Sequence, residues 1–270
     1  MKVASYQAPL LTSGSKDALD LIANQVRTCE SAGVDILCCP EAVLGGLADY
    51  APRPRDIAIE RSQLQQLLSP LASRTVTTIL GFTEIGEDSL LYNSAAILNQ
   101  GTVIGVYRKL HPALNKSVYS PGDYAPVFSV GDLTFGIVIC LDSRYSDPAR
   151  MMAAGGATAL FIPTNNGMPP SRGGSELVGE ARQVDIDRAV QHRMWVIRSD
   201  VAGRADGLVS YGSSAIVDQN GSIIRTANQL EPALLIAELE TGQNGLVDSD
   251  TNRSNELRIV AARSGGKILG

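Results

Sequence analysis

Apolar positions along the chain follow two rhythms that take turns. Short β-branched runs recur between stretches where apolar residues return every three or four positions. Residues 3–8 read as a strand, and residues 16–32 as a helix with Leu19, Ile22, Ala23 and Val26 on one face. The apolar run 34–39 predicts a buried strand, 60–74 a second helix and 75–84 another strand. Between Tyr92 and Lys109 two strands are expected, turning at Asn99-Gln100-Gly101. Residues 128–130 and 133–140 flank a Gly-Asp turn and predict a second hairpin, with the longer strand ending on Cys140.

Further along, the pattern predicts a short helix over 146–155, a strand over 158–163, a helix over 175–193 and a strand over 195–199. Residues 213–217 and 223–226 pair around Asp218-Gln219-Asn220-Gly221, and 234–239 closes a sheet. Helices alternating with mixed strands predict a layered α/β architecture. The reading is of one domain over residues 1–240, followed by a C-terminal arm or tail over 241–270 that is rich in Gly, Asn, Asp and Ser.

Composition narrows the function classes. With 23 basic and 28 acidic residues the formal charge is −5, so neither nucleic acid nor an anionic membrane surface is expected as a partner. No segment approaches the roughly 18 uninterrupted apolar residues of a membrane span. The opening residues lack the long apolar region of a signal peptide, and a cytoplasmic location is expected. Four cysteines in 270 residues do not read as a disulfide framework. With only His111 and His192 the usual Cys/His zinc spacings cannot be assembled, so no metal site is expected.

Three polar residues stand at or near the carboxyl ends of predicted strands, where open α/β sheets place their sites. Cys140 follows an apolar strand and precedes a polar turn. There it is a candidate nucleophile, with turn N–H groups available to a developing oxyanion, although a free cysteine is more often a small buried hydrophobe. Glu41 follows the apolar run 34–39, where desolvation suits a carboxylate to act as general base. Taken alone, a cap on the following segment or a solvated side chain explains it better. Lys109 ends a predicted strand, where its ammonium either guards a sheet edge or stabilises an anionic intermediate and a neighbouring thiolate.

Together these residues carry a family likeness. The succession Pro40-Glu41, Tyr107-Arg108-Lys109-x-His111 and Ile139-Cys140-x-Asp142-x-Arg144-Tyr145 resembles the nitrilase superfamily of carbon–nitrogen hydrolases. Gly81-Phe82-Thr83-Glu84, Tyr92-Asn93-Ser94-Ala95, Pro121-Gly122-Asp123, Pro163-Thr164-Asn165 and Tyr211-Gly212-Ser213-Ser214 fall in the matching order. The resemblance covers residues 1–240. It implies a four-layer α-β-β-α sandwich that dimerises through helices, so a homodimer or higher homo-oligomer is expected.

The resemblance also implies the chemistry: Cys140 as nucleophile, Glu41 as base, and Lys109 with a backbone N–H near Leu141 as oxyanion stabilisers. Asn165, with Asn166 beside it, falls where the family lines its pocket. The implied reaction hydrolyses a small linear amide or N-carbamoyl compound through a thioester, with release of ammonia and no cofactor. Nitrile hydrolysis and a weakened, scaffold-like member are the alternatives. One position departs from the family. Many members carry a second glutamate ahead of the Pro-Gly step, and the corresponding residue here, six before Pro121, is Asn115. Its side chain is expected either to keep a hydrogen-bonding role at the substrate or to alter the proton relay.

Overall fold

The structure is a computed structural model and describes residues 1–240; the expected arm over 241–270 lies outside the described residues. The first half runs β1 (Lys2–Pro9), α1 (Asp17–Ala32), β2 (Ile36–Cys38), β3 (Ile59–Glu60), α2 (Arg61–Leu67), β4 (Thr77–Ile85), β5 (Leu91–Asn99) and β6 (Thr102–Arg108). It continues with β7 (Val127–Val130), β8 (Leu133–Ile137), α3 (Ser146–Ala154), β9 (Ala159–Pro163), α4 (Glu176–His192) and β10 (Trp195–Ser199). The last strands are β11 (Val201–Ala205), β12 (Leu208–Ser210), β13 (Ala215–Val217), β14 (Ile223–Thr226) and β15 (Ala233–Glu238). No described helix is long and apolar enough to cross a membrane.

The strands form two mixed sheets. One has the order β12-β11-β1-β2-β4-β5-β6, with β15 also pairing β1 and β3 pairing β4; the other has the order β14-β13-β10-β9-β8-β7. Period-two alternation divides the first sheet's side chains between two cores. Val3, Ile36, Cys38, Ile79, Ala95, Ile97 and Tyr107 face the second sheet and pack on Phe128, Phe135, Phe161 and Ile197. Their neighbours Ala4, Leu37, Cys39, Leu80, Ala96, Leu98 and Val106 face outward, under Ala18, Ile22, Val26 and Cys29 of α1 and Leu64 of α2. Helices α3 and α4 cover the far side of the second sheet through Ala149, Met152 and Ala189. The result is the expected α-β-β-α sandwich, and each strand flanked on both sides reads as a continuous apolar run for that reason.

Two expectations need correction, and one hairpin was missed. The strand expected over 133–140 stops at Ile137, and Cys140 instead opens a 3-10 turn, Cys140–Arg144. The helix expected over 60–74 is interrupted, giving α2 and a 3-10 turn Ser69–Leu71. Pro70 explains the break, because it lacks an N–H and disfavours helical geometry at the residue before it. The hairpin of β11 and β12 was not expected from the apolar pattern. Its turn, Asp206-Gly207, has φ of 50° and 74°, the left-handed geometry for which Asp-Gly is the standard hairpin signal.

Candidate active site

Glu41 and Cys140 are each delivered by a backbone feature that apolar strands alone would not produce. Glu41 leaves β2 on a turn whose next residue, Ala42, has φ of 46°. Gly81 on β4 makes room for that turn: a Cβ there would lie 2.6 Å from both the Glu41 Cα and the Pro40 carbonyl oxygen. Cys140 itself sits at φ 46°, a left-handed conformation that costs a non-glycine residue of the order of 1–3 kcal/mol and is held only where the surroundings over-determine it.

The carboxylate of buried Asp142 supplies that constraint. It accepts hydrogen bonds from the N–H of Ile139 at 3.1 Å, the N–H of His111 at 2.8 Å and the Tyr107 hydroxyl at 2.8 Å. One acidic side chain therefore ties the cysteine turn to the loop that follows Lys109. The His111 ring stacks on Tyr145 at 3.8 Å, closing the same junction. Below the turn, the Cys140 carbonyl accepts from Ser143 Oγ at 2.7 Å, and Ser143 Oγ in turn accepts from Arg198 at 3.1 Å. Arg198 is buried and neutralised by Asp185 of α4 at 2.5 Å.

Glu41 is 1% exposed and fully engaged. Its Oε1 accepts from Lys109 Nζ at 2.6 Å and from Asn93 Nδ2 at 2.7 Å, and its Oε2 from the N–H of Asn165 at 2.8 Å. Lys109 is 3% exposed. Burial alone would lower its pKa, but the negative charges around it, Glu41 first, outweigh that and raise it, so the ammonium persists in the interior.

The Cys140 thiol is pushed up to about 12, first by burial and then by the nearby Glu41 charge, against which Lys109 and Arg198 act only in part. Burial and the Glu41 charge therefore favour the thiol form of Cys140 beside the lysine–glutamate ion pair. Cys29, Cys38 and Cys39 are buried, whereas Cys140 is partly exposed. Its Sγ lies 3.8 Å from Asn166 Oδ1.

Glu41, Lys109, Cys140, Leu141 and Asn165 all line one cavity of about 260 Å³. Leu141 follows the nucleophile candidate at the start of the 3-10 turn, where the first N–H groups have no partner within the turn. Asn165 contacts Glu41 and thereby orients the carboxylate, and Asn166 is fixed to Asp200 at 3.1 and 2.9 Å. Asn115 is not brought in. It is exposed on the loop after Lys109 and absent from the cavity lining, to which Ala113 and Leu114 contribute instead.

Sequence reasoning gave no site role to Asn93 or Arg198. A signal was present for Asn93: it is a polar residue on the inward face of a strand otherwise occupied by Ala95 and Ile97.

A family profile described as carbon-nitrogen hydrolase matches residues 2–245. A glutamine-dependent NAD(+) synthetase from Thermotoga maritima is 26% identical over 81% of this chain. The chain spans only 38% of that protein's length. An (R)-stereoselective amidase from a Pseudomonas species is 29% identical, with 88% of this chain and 84% of the amidase covered. Among solved structures, a variant of an amidase from Nesterenkonia sp. AN1, bearing the acetamide moiety of fluoroacetamide on its active-site cysteine, superposes with a TM-score of 0.72. It is 21% identical and covers 88% of this chain and 90% of the amidase, a likeness of fold. With the profile spanning nearly the whole of the described sandwich, the chain belongs to the carbon–nitrogen hydrolase family.

Proposed function

We propose that the chain hydrolyses a small linear amide or N-carbamoyl compound through a thioester on Cys140, releasing ammonia. The observation that carries this reading is the convergence of Glu41, Lys109 and Cys140 on a single cavity. At about 260 Å³ the cavity lies near the lower end of the range for small-molecule sites, which favours a short acyl group.

Because burial and the Glu41 charge favour the thiol form, attack calls for a base at the moment of bond formation. Glu41 takes the proton as the sulfur bonds to the carbonyl carbon. The charge that develops on the carbonyl oxygen meets the Lys109 ammonium and the N–H of Leu141. The proton on Glu41 then passes to the departing nitrogen, the C–N bond breaks, and ammonia leaves a thioester behind. Glu41 next deprotonates a water molecule that attacks the thioester, and the sulfur regains its proton as the acid departs. Each step moves one proton between groups that face the cavity. The Nesterenkonia amidase variant, which carries the acetamide moiety of fluoroacetamide on its active-site cysteine, supports by analogy a nucleophilic role for Cys140.

The test is ammonia release from a panel of short amides, ureido acids and nitriles, run beside purified Cys140→Ala protein. Turnover of an amide or ureido acid that disappears in the variant is expected. Undiminished release by folded Cys140→Ala would overturn the assignment, and release from nitriles alone would replace amide hydrolysis with the alternative reaction.

A further inference from the structure

The side-chain amide of Asn93 is only half used. Its Nδ2 donates to Glu41 Oε1 at 2.7 Å, whereas its Oδ1 is buried with no hydrogen-bond partner among the described residues. The orientation of this amide follows from chemistry, because a carboxylate oxygen has no proton to give and must face the nitrogen. The residue is 2% exposed and lines the same cavity as Cys140.

Its backbone is equally constrained. Asn93 is paired with Thr83 on β4, and its carbonyl accepts the N–H of Lys109 at 2.8 Å. The side chain therefore has little freedom to seek a donor elsewhere. Buried acceptors are almost always satisfied, and one left open on a residue that lines the Cys140 cavity can take a donor that arrives with the substrate.

We propose that Asn93 Oδ1 accepts a hydrogen bond from the scissile nitrogen of the substrate, making Asn93 a determinant of specificity for carboxamide and ureido groups. This rests on the reading of the cavity as an amide-hydrolysing site. A carboxamide presents N–H at the required place. A nitrile or an ester presents none, and would leave Oδ1 desolvated and unpaired in the complex. Since Asn93 grips Glu41 through its other limb, the same side chain places the leaving nitrogen next to the carboxyl group that must protonate it.

The experiment compares a short carboxamide with the methyl ester of the same acid, which passes through the same thioester, in wild-type and Asn93→Ala proteins. The ester reports on Cys140, Lys109 and Glu41 but has no N–H to donate. The expected result is a loss in kcat/KM for the amide that exceeds the loss for the ester by about tenfold or more. Equal losses would mean that Asn93 only positions Glu41, which overturns the proposal. A second arm needs no change at Asn93: calorimetric binding of the two compounds to Cys140→Ala protein. Carboxamide binding about tenfold or more tighter than the ester is expected, and equal affinity refutes the proposal. Wild-type protein that turns over neither compound would count against the thioester chemistry, while the binding arm still decides the role of Asn93.

Discussion

Two buried carboxylate–cation pairs sit side by side on the same strands and face opposite ways. Asn93 of β5 and Lys109, just past β6, engage Glu41 on the side of the second sheet. One residue away, Ser94 and Arg108 engage Glu84, on the outward side. Both carboxylates are at most 1% exposed, and both have a cation and a β5 side chain as partners. Glu84, however, is saturated. Arg108 grips it with Nε at 3.0 Å and Nη2 at 2.7 Å, Ser94 adds a bond at 2.6 Å, and the Arg108 guanidinium is stacked on the Tyr92 ring at 3.7 Å.

The outward pair also borders the larger void, an open groove of about 680 Å³ against about 260 Å³ for the inner cavity. Void size is therefore a poor guide to where the chemistry lies. The inner pair is set apart by its unfinished bonding: a compact ammonium with N–H groups to spare, an orphaned amide oxygen and a protonated thiol opposite. A bidentate guanidinium suits permanent pairing, whereas a point-charge ammonium can share its protons with a developing oxyanion.

The sharpest way to break this contrast is to make the same substitution in both pairs. Glu41→Gln removes the base and is expected to lower kcat by about a hundred- to ten-thousandfold. Glu84→Gln is expected to leave kcat within a few-fold of wild type. Steady-state rates on the best amide of the panel decide the matter, and a comparable collapse in Glu84→Gln would show that the outward pair is also part of the machinery.

Stability should reverse the ranking at Glu84. Burial by itself would raise the Glu84 pKa, but hydrogen bonds and charge from Arg108 and Ser94 outweigh it and the net shift is downward. A carboxyl whose native pKa lies below its unfolded value stabilises the fold above the unfolded value. That contribution fades as pH falls through the native one. Glu84→Gln, which strands Arg108, is therefore expected to cost about 3 kcal/mol near neutral pH. The difference should shrink steadily on acidification, as wild-type Glu84 takes up its proton. Denaturant midpoints across the acid range check both the size and the sign, and a gap that widens on acidification would contradict the pairing.

The strands were legible in the sequence as short apolar runs, which are local information, and so were the strand ends that carry Glu41 and Lys109. The partners were not legible. Asp185 and Arg198 lie on a helix and the following strand, and Asp142 meets Tyr107 across 35 residues of chain. A charge inside an apolar strand, as Arg198 is, announces that a counter-charge exists without saying which residue supplies it. The left-handed turn at Cys140 was hidden for a related reason: its apolar approach, Val138-Ile139, reads as more strand, while the force that bends it comes from the distant contacts of Asp142.

The smallest effect should come from the position that seemed most telling in the sequence. If the absence of a second glutamate had reshaped the site, restoring it with Asn115→Glu would change rate or substrate preference strongly. The side chain at 115 is exposed, however, and the cavity wall nearby is formed by Ala113 and Leu114. A carboxylate placed there would be solvated and screened by salt unless the loop refolded around it. Asn115→Glu is therefore expected to alter kcat/KM by less than about twofold and stability by no more than about 0.5 kcal/mol, as for an ordinary surface change. A large shift in amide preference would instead mean that the loop after Lys109 folds inward during turnover, bringing position 115 to the inner pair and giving that pair a third charged member.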